Sequence, residues 1–512
     1  MKTKLCASIA LLTLLSAAAP AAALAQMPET VRVGVDVDAG TLDPRLARDV
    51  TASRAIDLIY DGLVQLSPDL KPVPDLAESW ENPEPTIWIF HLRKGVKFHD
   101  GAPLTAVDVV FTYRSIIDPK FNAPYRALVT PIQAVDAIDA STVKFTLDKP
   151  YAPLLSYLDV GIVPKALVDG GRDIAVQPVG TGPMKLSSWQ RGSSIKLEAN
   201  LDYWGGAPAA KRIELVVIGD NTARAQAFEA GDLDLIQSPL SPQDIKRLEA
   251  DSRFAHAVQS GLGITYLNIN TADPLLADPK MRRAIAMLVD QKSIVGKIYE
   301  GVDQVATSIL LPSSWAYSPE IKQPGFDIVG ARALLAELGW KDDKGTGILE
   351  KDGKPLKLTI ATHSEDPNRV QTVEFMQAVF QSAGIQAEVQ VSDWPSFSTN
   401  YVQKGKHQIA LLGWLNLVDP DRASYGQLYT GGSLNWGKYS NPALDALLDA
   451  GRQSLDLAAR KAAYQGAAKV IADQLPYYVL SYQGYQRFHN RKLGELAVNP
   501  RGYLRALVDP AK

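Results

Sequence analysis

Cysteine is nearly absent from this 512-residue chain: there is one, Cys6, and histidine is scarce at six. Beyond Cys6 there is no thiolate to ligate a metal, no cysteine nucleophile and no disulfide partner. His91 and His99 are the nearest histidine pair in sequence, and their spacing matches no helical metal pair. Long apolar runs are missing as well. The only candidate, near the N-terminus, is shorter than the roughly 20 residues a spanning helix needs. There is no basic excess: the formal charge is −3, with no Lys/Arg stripe interleaved with aromatics, which argues against nucleic acid as a partner. Catalytic signatures fail too. Gly431-Gly432-Ser433-Leu434-Asn435 lacks the final glycine of a nucleophile elbow. Gly353-Lys354 is preceded by Ile348 where a phosphate loop needs glycine, and is followed by Pro355. Gly261-Leu262-Gly263 lacks the rest of a dinucleotide fingerprint. No two carboxylates stand out as a glycosidase pair.

What is present begins with an export signature. Lys2 and Lys4 precede an apolar stretch from Ile9 to Leu15, and Ala23-Leu24-Ala25 supplies the small-x-small pattern of a cleavage site. Cleavage after Ala25 is expected, leaving Gln26 first. Cys6 lies ahead of the apolar stretch, so it cannot be the lipidated first residue of a lipoprotein. The mature chain then has no cysteine, and its formal charge moves from −3 to −5 because residues 1–25 contain no acid. At 46% hydrophobic and 21% charged residues, it can build two or three packed units without disulfides.

The most informative stretch runs from Tyr60 to Trp80, YDGLVQLSPDLKPVPDLAESW. A helix ending by Gly62 is followed by a short apolar run (Leu63, Val64, Leu66), a turn at Ser67-Pro68-Asp69 and a stiff extended Lys71-Pro72-Val73-Pro74. Elsewhere, strands are predicted at Val31–Val35, Thr86–Leu92, Val143–Leu147, Leu356–Ile360 and Ala387–Val391. Helices are predicted from Thr105 or Ala106 through Tyr113, and from Asp278-Pro279 with Met281, Ile285 and Leu288 on one face. Two more are predicted, one over Val373–Phe380 stopping at Gly384 and one from Asn441-Pro442. The strand–helix–strand order at 356–391 suits a right-handed parallel crossover. Pro178 to Pro183 (PVGTGP) is a rigid loop where the chain passes between subdomains. Ile264 to Asn270 and Tyr477 to Tyr485 are extended runs, either internal strands or crossings between lobes.

Several short strings stand in a fixed order beside the Tyr60–Trp80 segment. They are Thr41-Leu42-Asp43-Pro44, the run from Leu92 to Gly101 (LRKGVKFHDG), Thr105-Ala106-Val107-Asp108-Val109 and PVGTGP, then Arg282-Arg283-Ala284-Ile285-Ala286, Gly413-Trp414, Asp419-Pro420-Asp421 and Tyr439-Ser440-Asn441-Pro442. Together they resemble the peptide/nickel-type (family 5) extracytoplasmic solute-binding proteins of ABC transporters, over nearly the whole mature chain. The resemblance implies an α/β, two-lobed clamp of the periplasmic-binding-protein kind, with an additional subdomain inserted in lobe I. By analogy, residues 26–57 begin lobe I, 58–177 form the extra subdomain, and 178–270 return to lobe I and supply the first hinge strand. Residues 271–477 form lobe II, and 478–512 supply the second hinge strand and the end of lobe I. A clamp of this kind closes on its solute by small φ/ψ changes at the hinge. It would work as a periplasmic monomer without cofactor or metal, docking on a membrane permease driven by a separate ATPase.

The resemblance places the solute between the lobes, with the Gly-Trp segment in the wall. Trp414 is the foremost candidate, because an indole offers apolar area and one donor, although a core tryptophan would look the same in sequence. Asn416 and Asp419 stand beside it, and Asp419-Pro420 also reads as a structural turn. Tyr266, Asn268 and Asn270 lie on the first crossing strand. Arg369, at the start of a helix, suits a solute carboxylate or plain solvent. Thr51 is a contact candidate from lobe I, and Trp436 and Tyr485 are aromatic walls or core. One departure counts. Peptide-binding relatives commonly carry an aspartate between the Gly-Trp and the Asp-Pro, where it pairs with the peptide's amino terminus; here the interval is Leu415-Asn416-Leu417-Val418. A buried ammonium without a charged partner is costly. Either Asp419 takes that task or the solute lacks a free amino terminus. The expected solute is therefore a peptide or peptide-like molecule. The alternatives are a non-peptide such as an opine, a glycoside or a metal chelate, a chaperone or receptor use of the same clamp, and, from another class, a secreted hydrolase.

Overall fold

The computed structural model describes residues 27–238, 240–497 and 499–509; the N-terminal export signature, with Cys6 and the Ala25 cleavage site, lies outside them. No described helix is long and apolar enough to cross a membrane.

An eleven-stranded sheet forms the spine. At one end Thr30–Val35 pairs in parallel with Arg212–Val217 and Leu235–Ile236, over an apolar cluster that includes Val31, Leu58, Ile213 and Leu507. At the other end Lys357–His363 pairs in parallel with Gln386–Ser392 and with part of Ile409–Trp414, against a separate cluster including Leu267, Ile285, Ile360 and Phe380. Two long antiparallel strands, Phe254–Ile269 and Tyr477–Asn490, run from one end to the other and pair along almost their whole length. The fold is thus a two-lobed α/β arrangement joined by a pair of crossing strands, the ones the resemblance implies as the hinge. The crossings are longer than the extended runs read from the sequence, because each continues into the lobe I sheet.

A second, four-stranded antiparallel sheet stands off this spine, in the order Ala77–Glu84, Ile87–Leu92, Thr142–Leu147, Ile132–Ala137. Helix Ala106–Ile117 covers it, and Tyr113 and Phe90 each meet Phe145 edge-on with centroids 5.2 Å apart. The helix runs four residues beyond the predicted Tyr113, because Ile116 still finds a buried position.

Local chemistry explains most element boundaries. Asp49, Asp278, Asp366, Asp419 and Asn441 each accept a backbone N–H at a helix start, and proline stands at the first turn after the last four. The helix after Asp278 stops at Ala286, so Leu288 is buried from the following turn and not from the helix face. Gly384 lies beyond the end of helix Pro367–Ser382 at φ 96°, a conformation that favours glycine.

Two of the signature strings meet at Asp61. Its carboxylate accepts from Thr181 Oγ1 at 3.0 Å, Trp204 Nε1 at 2.9 Å, Tyr203 Oη at 3.2 Å and Arg505 Nη2 at 2.9 Å. A Cβ on Gly180 or Gly182 would collide with the Ile59 backbone, and one on Gly62 with that of Asp159. The helix end before YDGL and the PVGTGP loop can approach this closely only with glycine at those places. Val64–Leu66 and Pro72–Pro74 then form a small hairpin across the Ser67–Lys71 turn. These strings therefore hold the chain crossings together by close backbone packing.

Candidate functional site

The ladder between the two long strands is irregular at two places, a one-residue slip between Thr265 and Tyr266 and a wider break just before it. Pairing jumps from Ser260 opposite Gly484 to Ile264 opposite Tyr482, which displaces Gly261, Leu262 and Gly263 from the ladder. The displaced residues face a cleft of about 720 Å³. Its walls come from the first strand and first helix of lobe I (Asp36, Asp49, Ser53, Arg54) and from Gln237 and Ser238. The hinge adds Gln483, Gly484 and Tyr485, the loop after Ile409–Trp414 adds Leu415 and Asn416, and the C-terminal segment adds Arg501 and Tyr503. Tyr125, from the segment that carries the four-stranded sheet, closes one side. A second, smaller cavity of about 360 Å³ lies behind the first lobe I helix and shares Ser53, Tyr125, Arg501 and Tyr503 with the cleft. Its other walls come from the hairpin and the lobe I core, so the larger cleft at the hinge is the candidate site.

Of the residues predicted from sequence, Asn416 and Tyr485 line this cleft. Asn416 has φ 57°, which asparagine tolerates better than most residues, and this turns the chain away from the strand end. The Tyr485 hydroxyl donates to Gln237 Oε1, and burial holds its pKa above the usual tyrosine value.

Trp414 ends the strand on the other face. It stacks on Tyr266 (centroids 6.4 Å, planes 10° apart), and Trp436 packs on it at 5.7 Å. Tyr266 in turn stacks on Tyr477 at 4.5 Å. The aromatic series Trp436–Trp414–Tyr266–Tyr477 thus runs across lobe II at the base of the hinge. The buried Trp414 Nε1, Tyr266 Oη, Tyr477 Oη and Asn268 Nδ2 have no hydrogen-bond partner. Burial pushes the Tyr477 hydroxyl up to about 12 and raises that of Tyr266 well above the usual tyrosine value, so both stay protonated donors.

Arg369 lies behind the strand end. Its Nε is 3.1 Å from Asp366 Oδ2, and its Nη1 donates to His363 Nε2 at 2.9 Å. That leaves the His363 proton on Nδ1, which donates to Glu365 Oε2 at 2.9 Å. A Cβ on Gly413 would strike the Arg369 guanidinium, so the glycine of Gly-Trp is what lets the arginine reach the hinge.

The remaining candidates lie elsewhere. Asp419 is buried, receives Arg460 Nη2 at 2.8 and 3.0 Å and Ser156 Oγ at 3.2 Å, and caps helix Pro420–Leu428. With both oxygens engaged, it is not free to shift toward an ammonium in the cleft. Asn270 binds the carbonyls of Gly405 and His407 at 3.0 and 2.9 Å, and Asn268 accepts from His407 Nε2 at 2.8 Å, so both brace lobe II. Thr51 is buried in helix Val50–Ile59, and its neighbours Val50, Ser53 and Arg54 face the cleft in its place.

Arg54, Gln237, Gln483 and the 261–263 break went unnoticed in the sequence. The two glycines flanking Leu262, inside an otherwise alternating strand, were the available signal for the break. The interval 415–418, within which the resemblance leads one to expect a peptide binder's aspartate, holds no acid, and its Leu417 and Val418 are buried. Among the described residues no cluster of His, Cys, Asp and Glu could hold a metal ion.

Comparison with known proteins gives a consistent set of relatives. Residues 71–436 match the family described as bacterial extracellular solute-binding proteins, family 5 Middle. Protein XP55 of Streptomyces lividans is 32% identical over 468 residues, covering 89% of this chain and 83% of that protein. Among solved structures, NikZ from Campylobacter jejuni in complex with Ni(L-His) superposes with a TM-score of 0.73 at 26% identity, covering 93% of this chain and 98% of that one. The oligopeptide-binding protein AppA from Bacillus subtilis, in complex with a nonapeptide, gives 0.72 at 26% identity, covering 94% and 98%.

Proposed function

The chain belongs to the bacterial extracellular solute-binding proteins of family 5, and from that premise we propose that it is the capture component of an ABC importer for a peptide or peptide-like small molecule. It acts as a periplasmic monomer, released from its leader at Ala25, and presents the loaded clamp to a membrane permease driven by a separate ATPase. It catalyses no reaction and needs no cofactor. We assign residues 26–57, 178–270 and 478–512 to lobe I with the hinge strands, 58–177 to the added subdomain and 271–477 to lobe II.

The observation that carries this reading is the cleft at the hinge break, lined from both lobes, both hinge strands and Tyr125. A solute seated there touches every part that moves, so binding favours the closed state. Asn416 and Tyr485 contact the solute. Trp414, with Trp436 and Tyr266 behind it, forms the rigid aromatic flank on lobe II, and Arg369 reaches the cleft past Gly413 once the lobes close.

The same carrier role for a non-peptide is the second reading, and Leu417 favours it. Where a free amino terminus would need a carboxylate, the interval 415–418 that includes Leu417 has none, and Asp419 is already paired. NikZ, with its bound Ni(L-His), illustrates a small chelate held by a chain of this fold.

Thermal shift of the purified protein against peptides, their N-acetyl forms, opines, glycosides and metal chelates separates the readings, since only the folded clamp binds the solute. The proposal expects a saturable rise in Tm with a peptide or peptide-like compound. A rise with opines, glycosides or chelates only gives the second reading, and turnover of any compound by the pure protein removes both.

A further inference from the structure

Most buried arginines in this protein show one of two patterns, and Arg54 fits neither. The first is the ion pair: Arg460 with Asp419 and Arg45 with Asp43 each meet a carboxylate at 2.8 Å. The second is the carbonyl clamp. Arg282 donates to the carbonyls of Gln474, Leu276 and Ala277 at 2.6–2.8 Å, and Arg487 to those of Ala497 and Leu496 at 2.9 and 2.7 Å. Arg54 is as buried as these, at 3% exposure. Yet its backbone bonds are long, Nε to Gly502 O at 3.3 Å and Nη2 to Gln237 O at 3.4 Å, and its side-chain partner is the neutral Tyr485 hydroxyl. Among the described residues no carboxylate lies within 4 Å of it, and Asp36 acts on it only from farther away. Burial accordingly lowers its pKa, the direction expected of a cation that lacks a close counter-charge.

This guanidinium lines the cleft. The acids that share the cleft are engaged or distant: Asp49 uses one oxygen on Ala52 N and the other on Gly40 N, and Asp36 accepts from Ser238 Oγ. Arg501 is already paired with Asp159. An under-coordinated cation in a walled, partly dehydrated cleft is unfavourable unless an incoming group completes it. A planar carboxylate matches a guanidinium with two parallel hydrogen bonds.

We propose that Arg54, on the lobe I wall of the cleft, receives a carboxylate of the solute, so that the transported class is carboxylate-bearing molecules whose negative end points to lobe I. This rests on the carrier reading above and specifies it. The lobe II lining fits the same charge pattern: Leu415 and Asn416 offer no acid for an ammonium, while the lobe I wall offers a cation for an acid.

The test uses calorimetric titration of the full mature chain with trialanine, its C-terminal amide and N-acetyl-trialanine, together with a non-peptide dicarboxylate of opine type. The native protein is expected to bind at least one of the free acids, and to bind the trialanine acid at least about tenfold tighter than its amide. Arg54→Gln is expected to bring acid and amide within about twofold of each other, and Arg54→Lys to restore part of the preference. A readout apart from binding separates a receptor arginine from a structural one. The ligand-free Tm of Arg54→Gln is expected to equal or exceed that of the native protein, because the substitution removes an uncompensated buried charge. If acid and amide bind native protein equally, the carrier reading stands and this inference falls. If Arg54→Gln keeps the acid preference, or lowers the ligand-free Tm while keeping it, Arg54 is a structural residue. If none of these compounds binds, the peptide-type carrier reading fails together with the inference.

Discussion

The backbone N–H of Leu417 donates to the Leu262 carbonyl at 3.0 Å, fastening the lobe II loop after Gly-Trp to the break in the first hinge strand. The Leu417 side chain is buried beside that fastening, which is why the position cannot hold an unpaired charge at rest. Replacing it with the acid that peptide binders carry creates a direct experiment. Leu417→Asp is expected to cost about 2–4 kcal/mol in the ligand-free protein. Peptides with a free amino terminus should then raise its Tm more than they raise that of the native protein, while N-acetyl peptides should not. Urea unfolding and thermal shift measure the two effects.

The Asp419–Arg460 pair is buried and shared with Ser156. Asp419→Asn or Arg460→Met alone leaves one buried charge unmatched and is expected to destabilise by about 3–5 kcal/mol, whereas the double substitution should cost clearly less than the sum. Urea midpoints at unchanged m-value check this. A large loss of solute affinity in Asp419→Asn with undiminished stability would instead put Asp419 in the site.

Two histidines, the buried His407 and the half-buried His99, set an acid limit. His99 donates from Nε2 to Gly182 O at 3.0 Å and accepts the Gly180 N–H on Nδ1 at 3.3 Å, so its hydrogen bonds require the neutral ring. Burial lowers its pKa from 6.5 to about 4, and burial likewise lowers that of His407 to about 4. In the unfolded chain both rings take up protons near 6.5. Their contribution is therefore complete above pH 6.5 and is lost as pH falls from 6.5 toward 4, at order-of-magnitude 1–3 kcal/mol per ring. Tm measured over that range should fall less steeply in His99→Gln than in the native protein.

Trp414 carries both the aromatic series and the proposed flank of the site. Trp414→Ala is expected to lose about 3 kcal/mol of stability and to weaken solute binding about tenfold or more, while Trp414→Phe keeps most of both. Unchanged affinity in a folded Trp414→Ala protein would restrict the indole to the core.

The resemblance made the two-lobed α/β plan legible before the structure, and local chemistry made many element starts legible too. Asp278-Pro279 and Asn441-Pro442 cap helices as read, and the 356–391 crossover is parallel as read. The Tyr60–Trp80 and PVGTGP strings were conspicuous because close backbone packing around Asp61 demands those residues, which says nothing about cargo. The site was far less legible. Asp419 looked available because its partner, Arg460, is distant in sequence and unmarked by any motif. Asn270 and Asn268 looked like solute contacts because a strand pattern does not reveal that loop carbonyls and His407 already engage them. Arg54 looked like any helix residue. Burial without a counter-charge is a tertiary property, and no pattern in VTASRAIDLI signals it.

The central claim is reversible capture of a small solute at the hinge cleft, and calorimetric titration of the ligand-free mature chain tests it most directly. The predicted result is saturable one-to-one binding of a peptide or peptide-like acid, with the compound recovered chemically unchanged. Failure of every peptide and peptide-like compound to bind, or recovery of the solute as a cleaved product, would contradict it.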